Sequence, residues 1–209
     1  MKKIVLATKN QNKIKEFNAL LGSDFKLLSL DDIGFNREIV ENGTSTTENA
    51  KIKAQVVYDY IEENCLDYPV LSDDSGLFVH ALRGEPGIMS ARYSGDHNDA
   101  ENRKKVLENL GDRLDRTAYF ECALCYMYGN DLRLFMGRTF GEITEEERGS
   151  KEFGYDCIFR SVDLGKTFGE ATKEEKDKVS HRARAIEAFK KWNTPSNPNF
   201  SRHVTFNKK

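Results

Sequence analysis

Three separate polar segments carry residue types that could act together on a phosphorylated substrate. The first, residues 8–13, reads Thr-Lys-Asn-Gln-Asn-Lys and lies between a predicted strand and a predicted helix. A helix N-terminus offers unpaired N–H groups and the positive end of the helix dipole. Lys9 and Lys13, with the polar side chains of Thr8 and Asn10, would make this N-terminus a phosphate site without the Walker glycines. The segment fits equally well an ordinary helix that Asn10 caps and that carries surface lysines.

The second segment is Asp-Asp-Ser-Gly at 73–76, between apolar stretches at 69–72 and 77–80 that we interpret as two strands joined by a polar turn. Ligands of α/β sheets bind at the C-terminal ends of strands, where Asp73 and Asp74 would then lie. These carboxylates could hold Mg²⁺, which takes a few carboxylates plus substrate phosphates, and one of them could deprotonate a water. The alternative is a purely structural turn, since turns favour Asp, Ser and Gly.

The third site combines two short segments, Phe-Gly-Tyr-Asp at 153–156 and Ser-His-Arg at 180–182. An aromatic ring can stack on a nucleobase, a carboxylate can accept hydrogen bonds from ring N–H groups, and an arginine can donate to a ring carbonyl. Together with the phosphate site and the paired carboxylates, these segments predict a site for a nucleoside triphosphate and Mg²⁺.

The elements that position these segments follow from the spacing of apolar residues. Strands alternate with helices early in the chain and pair as a hairpin later, which predicts an α/β fold with a mixed sheet. The predicted strands are 3–7, 25–30, 69–72, 77–80, 117–128 and 132–140, and the predicted helices are 10–21, 45–64, 99–110, 172–178 and 180–192. Cys122 and Cys125 lie three apart in a strand, so their sulfurs should point to opposite faces as core residues and not share a zinc ion.

The composition excludes several classes of protein. The 209 residues contain 32 Lys and Arg against 34 Asp and Glu, a formal charge of −2, whereas a protein that coats nucleic acid is strongly basic. With 11% aromatic residues the chain is not of the disordered class. Four cysteines are too few for a disulfide framework, and no apolar run is long enough to span a membrane. We expect a cytoplasmic globular protein with reduced thiols.

Several longer motifs resemble one known family, the Ham1/inosine triphosphate pyrophosphatase family. In chain order they are LATKNQNKIKEF, ENAKIKA, LSDDSGL, PGIMSARYSG, FGYD and TKEEKDKVSHRARA. The resemblance covers nearly the whole chain. It implies an elongated mixed sheet flanked by helices, with two lobes and a central active-site cleft. It also implies a single domain at 1–193 and a homodimer, whereas the polar, proline-containing residues 194–209 form a tail outside the family pattern.

The resemblance assigns roles to individual residues of this chain. Asp74 would be the proton acceptor and a metal ligand, with Glu41 as the second metal-binding acid, Glu38 as its alternative and Asp73 as a further candidate. The residues that would bind substrate are Thr8, Lys9, Asn10, Lys13, Lys53, Ser75, Phe153, Gly154, Tyr155, Asp156, Lys176, His181 and Arg182. Two positions depart from the family pattern, because Lys9 replaces a glycine and Cys157 replaces a proline.

The activity that the resemblance implies is hydrolysis of the non-standard purine nucleotides ITP, dITP and XTP to a monophosphate and pyrophosphate, with Mg²⁺ and a water activated by Asp74. Three alternatives remain open at this point. One is a related Maf-type pyrophosphatase for modified pyrimidine nucleotides. The others are a non-catalytic nucleotide-binding module and, least favoured by the charge balance, a nucleic-acid-binding protein.

Overall fold

The computed structural model of the chain describes residues 1–95 and 97–194, and in it a seven-stranded mixed sheet carries helices on both faces. The strand order is β2-β1-β3-β5-β6-β7, with the short β4 paired to β3. The strands are β1 Lys2–Leu6, β2 Phe25–Leu28, β3 Val70–Val79, β4 Pro86–Gly87, β5 Thr117–Tyr128, β6 Asp131–Ile143 and β7 Phe159–Ser161. The helices are α1 Gln11–Leu21, α2 Thr46–Glu63, α3 Asp99–Leu110, α4 Lys173–Val179 and α5 His181–Trp192. The α/β class with a mixed sheet is thus confirmed.

Two apolar clusters cover opposite faces of the sheet. On one face, α2 packs through Ala50 and Ala54 against Ala123 and Cys125 of β5. On the other face, α1 and α5 enclose a cluster that includes Cys122. The two cysteines of β5 therefore point to opposite faces and are free thiols, as their spacing predicted.

The prediction of two strands separated by a turn at 73–76 is wrong. β3 is a single ten-residue strand, and Asp73 and Asp74 lie in its middle, opposite Leu124 and Ala123 of β5. The polar residues can stay in the strand because lysines neutralise both carboxylates. β1 pairs with β3 only as far as Leu71, so β3 continues past the end of its neighbour and presents its polar residues at an open edge.

The other predicted strands and the helices agree with the structure to within a few residues, except that β6 is longer than predicted, and the short strands β4 and β7 were not predicted. Thr172 and Glu175 form the capping box expected at the start of α4. The predicted tail, from 195 onward, lies outside the described residues. Among the described helices, no helix combines the length and the apolarity needed to cross a membrane.

The burial of the cysteines predicts their reactivity. Burial raises the pKa of the Cys122 thiol to about 12 and that of Cys125 to about 11, and it also raises the pKa of the buried Cys157. Because the thiolate is the reactive form, iodoacetamide should modify only the exposed Cys65 in the folded protein. Intact-mass measurement should show one added group in buffer and four in denaturant, since the chain has four cysteines. Rapid native modification at Cys122 would contradict this packing.

Candidate functional site

Two adjoining cavities form a cleft beside the open edge of β3. The larger, of about 520 Å³, is the polar chamber, and the smaller, of about 160 Å³, is the aromatic chamber. Four residues line both chambers: Asn10, Lys13, Ser75 and Ala91. The cleft therefore continues from one chamber into the other.

Residues of the first two predicted segments line the polar chamber. The predicted residues that line it are Thr8, Lys9, Asn10, Lys13, Glu38, Glu41, Lys53, Asp74 and Ser75. Arg37, Arg92 and His97, which the sequence had not singled out, add further basic side chains to its wall. A chamber lined by this many basic groups suits a polyanionic ligand.

The N-terminus of α1 meets the polar chamber, but its first amides are already bonded. Asn10 caps the helix, and its Oδ1 accepts from the N–H groups of Asn12 at 2.9 Å and Lys13 at 3.2 Å. Thr8 Oγ1 in turn accepts from the N–H of Asn10 at 3.2 Å. The helix therefore contributes mainly its dipole and the side chains of Asn10, Lys13 and the exposed Lys9.

Asp74 lies in a row of charges on the α2 side of β3. Its Oδ1 is 3.1 Å from Lys53 Nζ, which is 2.8 Å from Glu41 Oε2. Its Oδ2 accepts from Asn49 Nδ2 at 3.3 Å. Burial raises the pKa of Asp74 above the usual range for Asp, although Lys53 and Lys13 oppose the shift. A carboxylate with a raised pKa that is open to a chamber is suited to accept a proton from water.

Glu41 and Asp74 are the pair of acids that could hold a divalent cation. Both contact the Lys53 ammonium, so their oxygens converge on one cationic position. Two carboxylates fit the chemistry of Mg²⁺, which keeps several waters and takes its remaining ligands from substrate phosphates. Glu38 lines the same chamber. Within residues 1–95 and 97–194, no cluster of three or more His, Cys, Asp or Glu side chains forms a complete metal site from protein groups alone.

Asp73 does not join this pair, because successive side chains of a strand point to opposite faces. It is 1% exposed, and its Oδ2 lies 2.9 Å from Lys13 Nζ and 3.3 Å from Arg182 Nη2, and accepts from Ser75 Oγ at 3.1 Å. Burial alone would raise the pKa of Asp73, but Lys13 and Arg182 hold it well below the usual range. The geometry places Asp73 as the counter-ion of two cations that line the cleft.

The aromatic chamber brings together the third pair of segments. Its predicted lining residues are Phe153, Gly154, Tyr155, Asp156, His181 and Arg182. The His181 ring stacks on Phe120, with ring centres 4.8 Å apart and planes 14° from parallel. Tyr155 is fixed by a hydrogen bond that its hydroxyl donates to the carbonyl oxygen of Ser90 at 2.7 Å. The aromatic side chains of Phe120, Phe153 and Tyr155 in the lining give a planar ring surfaces on which it can stack.

A buried charge network adjoins the aromatic chamber at Asp156, and its Lys176 lines a neighbouring cavity and neither of the two chambers. Lys176 Nζ is 2.5 Å from Asp156 Oδ2 and 3.1 Å from Glu16 Oε1, and it lies 4.8 Å from the centre of the Phe153 ring. Glu16 also pairs with Arg182. Asp156 and Glu16 raise the pKa of Lys176 even though burial works against them, so the ammonium stays charged.

Unsatisfied polar atoms cluster at this end of the cleft. Among the described residues, four buried side-chain polar atoms have no hydrogen-bond partner, and three of them are Asp73 Oδ1, His181 Nδ1 and Arg182 Nε. Most buried polar groups in native proteins are paired, so a concentration of unpaired ones is typical of a binding site. The cleft as a whole can bind a ligand that carries a polyanion beside a planar ring.

A sequence model of the Ham1 family matches residues 4–192. The chain belongs to the Ham1 family. A protein of Christiangramia forsetii named dITP/XTP pyrophosphatase is 44% identical over 185 residues, which are 88% of this chain and 95% of that protein. A protein of the same name from Bacillus licheniformis is 43% identical over 194 residues, or 90% of this chain and 95% of its own length.

Solved structures of the Ham1 family share the fold. The Staphylococcus aureus Ham1 protein superposes with a TM-score of 0.81 at 36% identity, covering 91% of this chain and 97% of its own. A HAM1 protein from Coxiella burnetii gives a TM-score of 0.80 at 37% identity, with 91% and 98% covered.

Several residues of the cleft were not predicted from the sequence of this Ham1 chain. Glu16 is three residues after Lys13 and so lies on the same face of α1, which was the one available signal. Asn49 follows Glu48 in a motif that the sequence analysis used only as a family marker. Arg92 likewise lies in a family motif, PGIMSARYSG, but only the folded loop brings it to the polar chamber.

His181 should make the stability of this Ham1 chain depend on pH. Burial, together with Arg182 and Lys176, lowers the pKa of His181 well below its usual value of about 6.5. The folded state keeps the ring neutral while the unfolded chain takes up a proton, so stability falls as the pH drops below about 6.5. Between about pH 7.5 and about pH 5.5 this contributes a loss of about 1.4 kcal/mol.

Urea unfolding at the two pH values measures this loss, and His181→Gln is the variant to compare. The wild type should lose about 1.4 kcal/mol more free energy of unfolding than the variant. An equal loss in both proteins would show that His181 is not buried in the neutral form.

Proposed function

We propose that this Ham1 chain is a nucleoside triphosphate pyrophosphatase that hydrolyses the purine nucleotides XTP, dITP and ITP to the monophosphate and pyrophosphate. One observation carries the proposal: the converging carboxylates of Glu41 and Asp74 share a cleft with a basic chamber and an aromatic chamber. The relatives named dITP/XTP pyrophosphatase support the choice of nucleotides.

The triphosphate would lie in the polar chamber. Lys13, held by Asp73 through one of its three ammonium donors, retains donors for phosphate oxygens. Lys9 adds a charge at the position where the family pattern has glycine, and Thr8 and Asn10 supply hydrogen bonds. Lys53 also lines this chamber, and its charge would offset the negative charge that develops on the leaving pyrophosphate.

Asp74 would accept the proton of the water that attacks the α-phosphorus. The bond from the α-phosphorus to the bridging oxygen then breaks, and pyrophosphate leaves with that oxygen. Glu41 and Asp74 would hold Mg²⁺, whose role when bound is to neutralise phosphate charge as a Lewis acid. Asn49 orients the carboxylate by its hydrogen bond to Oδ2.

The purine would bind in the aromatic chamber against Phe153, near Ser75. Lys176, His181 and Arg182 would supply donors to a 6-keto oxygen. An adenine 6-amino group presents donors instead, and each mispaired buried contact costs about 1–3 kcal/mol, or about 10–100-fold in selectivity. Asp156 is fixed beside Lys176 and could orient that donor.

The proposal extends to the organisation of the protein. Residues 1–193 would form a single two-lobed domain around the cleft. The protein would be a homodimer, which is supported by Met136 and Phe140, exposed by 42% and 54% on the same face of β6. It would act in the cytoplasm, where three buried cysteines stay reduced.

The test is pyrophosphate release from XTP, dITP, ITP, GTP, ATP, dTTP and CTP, each with Mg²⁺ and with EDTA. We expect fast release from XTP, dITP and ITP only with Mg²⁺, and at least about tenfold slower release from ATP. Preference for a pyrimidine nucleotide would favour the Maf-type alternative. Tight binding without release would favour a non-catalytic module.

A further inference from the structure

Two side chains of α3 hold both polar backbone groups of Gly154. Asp99 Oδ2 accepts from the Gly154 N–H at 2.8 Å, and Arg103 Nη1 donates to the Gly154 carbonyl oxygen at 2.9 Å. Asp99 and Arg103 are four residues apart, so they lie on one face of the helix. Gly154 has a φ of +50°, a left-handed conformation that glycine adopts readily, and the two bonds hold the peptide groups on both sides of it.

The Arg103 side chain is itself held in place by a second partner, Glu147. It is 3% exposed, and its Nε donates to Glu147 Oε1 at 2.6 Å. A buried guanidinium is costly unless it is paired and hydrogen-bonded. Arg103 lines neither chamber of the cleft, and its Nη1 is already engaged by the Gly154 carbonyl oxygen.

The same helix holds the opposite wall of the aromatic chamber. Asn102 Oδ1 accepts from the N–H of Ser94 at 2.6 Å and from its hydroxyl at 2.8 Å. Asn102 Nδ2 donates to the carbonyl oxygen of Ala91 at 3.2 Å. Ala91 lines both chambers, so α3 connects the loop that carries Ala91 with the loop that carries Gly154.

We propose that α3 is a brace that sets the geometry of the aromatic chamber, with Asp99 and Arg103 as positioning residues for the base. This inference rests on the proposed nucleotide function. Gly154 follows Phe153, whose ring lies against the Lys176 ammonium, so a shift of the Gly154 backbone displaces the ring from its place beside that cation. Asp74 is on β3, outside this brace, so chemistry at the phosphate is unaffected when the brace is removed.

The test measures kcat, KM and the equilibrium Kd for XTP in Asp99→Ala, Asp99→Asn and Arg103→Met. Asp99→Ala should raise KM and Kd by about tenfold, the effect of one lost hydrogen bond, with kcat within about twofold of the wild type. Asp99→Asn keeps an acceptor and should restore both constants. Arg103→Met should resemble Asp99→Ala, and the double variant should be less than additive because both act on Gly154.

Glu101→Ala is the matched control, since Glu101 is an exposed acid in the same first turn of α3. It should leave KM and Kd unchanged. The proposed brace is wrong if the wild type is active and Asp99→Ala either keeps the wild-type KM or loses only kcat. A wild type that binds XTP without hydrolysing it overturns the proposed function, while Kd still tests the brace. A wild type that does neither overturns both.

Discussion

Replacing Asp74 with Asn is expected to lower kcat for XTP hydrolysis by about 10²–10⁴-fold, the usual contribution of a general base. Asn matches the shape of Asp but cannot accept the proton of the attacking water, and it weakens the pair of acids formed with Glu41. The fold should survive. Lys53 keeps Glu41 as a counter-ion when Asp74 loses its charge, and burial already makes ionisation of Asp74 unfavourable by raising its pKa, so this loss of charge should cost less stability than the loss of Asp73.

The measurement combines pyrophosphate release with urea unfolding of the same preparations. Asp74→Asn should show the lost turnover with an unfolding midpoint close to that of the wild type. Glu145→Gln is the matched control, because it removes one exposed carboxylate that lies outside the cleft. Near-normal turnover in Asp74→Asn would show that another group activates the water.

Replacing Asp73 with Asn is expected to destabilise the fold by about 3–5 kcal/mol, the cost of breaking a buried ion pair from one side. The variant leaves Lys13 without its counter-ion and removes one of the two anions that Arg182 contacts. The pKa of Asp73 is lower in the folded chain than in the unfolded chain, so its charge contributes stability at neutral pH. That contribution declines as the pH falls below about 4.

The unfolding free energy of Asp73→Asn, extrapolated from urea titrations at neutral pH, tests this loss. Asp74→Asn serves as the control, since it removes a carboxylate one residue away on the opposite face of β3. Equal free energies of unfolding in the two variants would contradict the view that Asp73 mainly stabilises the fold whereas Asp74 mainly serves catalysis.

The sequence predicted most elements of the fold because local patterns encode them. Asn10 caps α1 and Thr172 forms a capping box with Glu175, as their spacing indicated. The turn at 73–76 was wrong for a physical reason. Asp and Ser favour turns because their side chains hydrogen-bond to nearby backbone groups, and Gly favours them through its flexibility. Here Lys13 and Lys53 neutralise the two carboxylates instead, and the backbone pairs with β5.

The candidate site was harder to predict where contacts depend on tertiary structure. Adjacent aspartates suggested one metal site, and only the strand geometry separates Asp73 from Asp74. In the sequence Glu16 is one charged residue of a helix among several. In the structure it forms ion pairs with Lys176 of α4 and Arg182 of α5. Such long-range ion pairs leave no periodic signal in the sequence, since their partners are more than 150 residues apart along the chain.

The most direct test of the central claim is hydrolysis of XTP in ¹⁸O-labelled water with Mg²⁺, followed by mass spectrometry of both products. Attack of a water activated by Asp74 on the α-phosphorus predicts one ¹⁸O in the monophosphate and none in the pyrophosphate. Label in the pyrophosphate, or release of orthophosphate in its place, would contradict the proposed reaction.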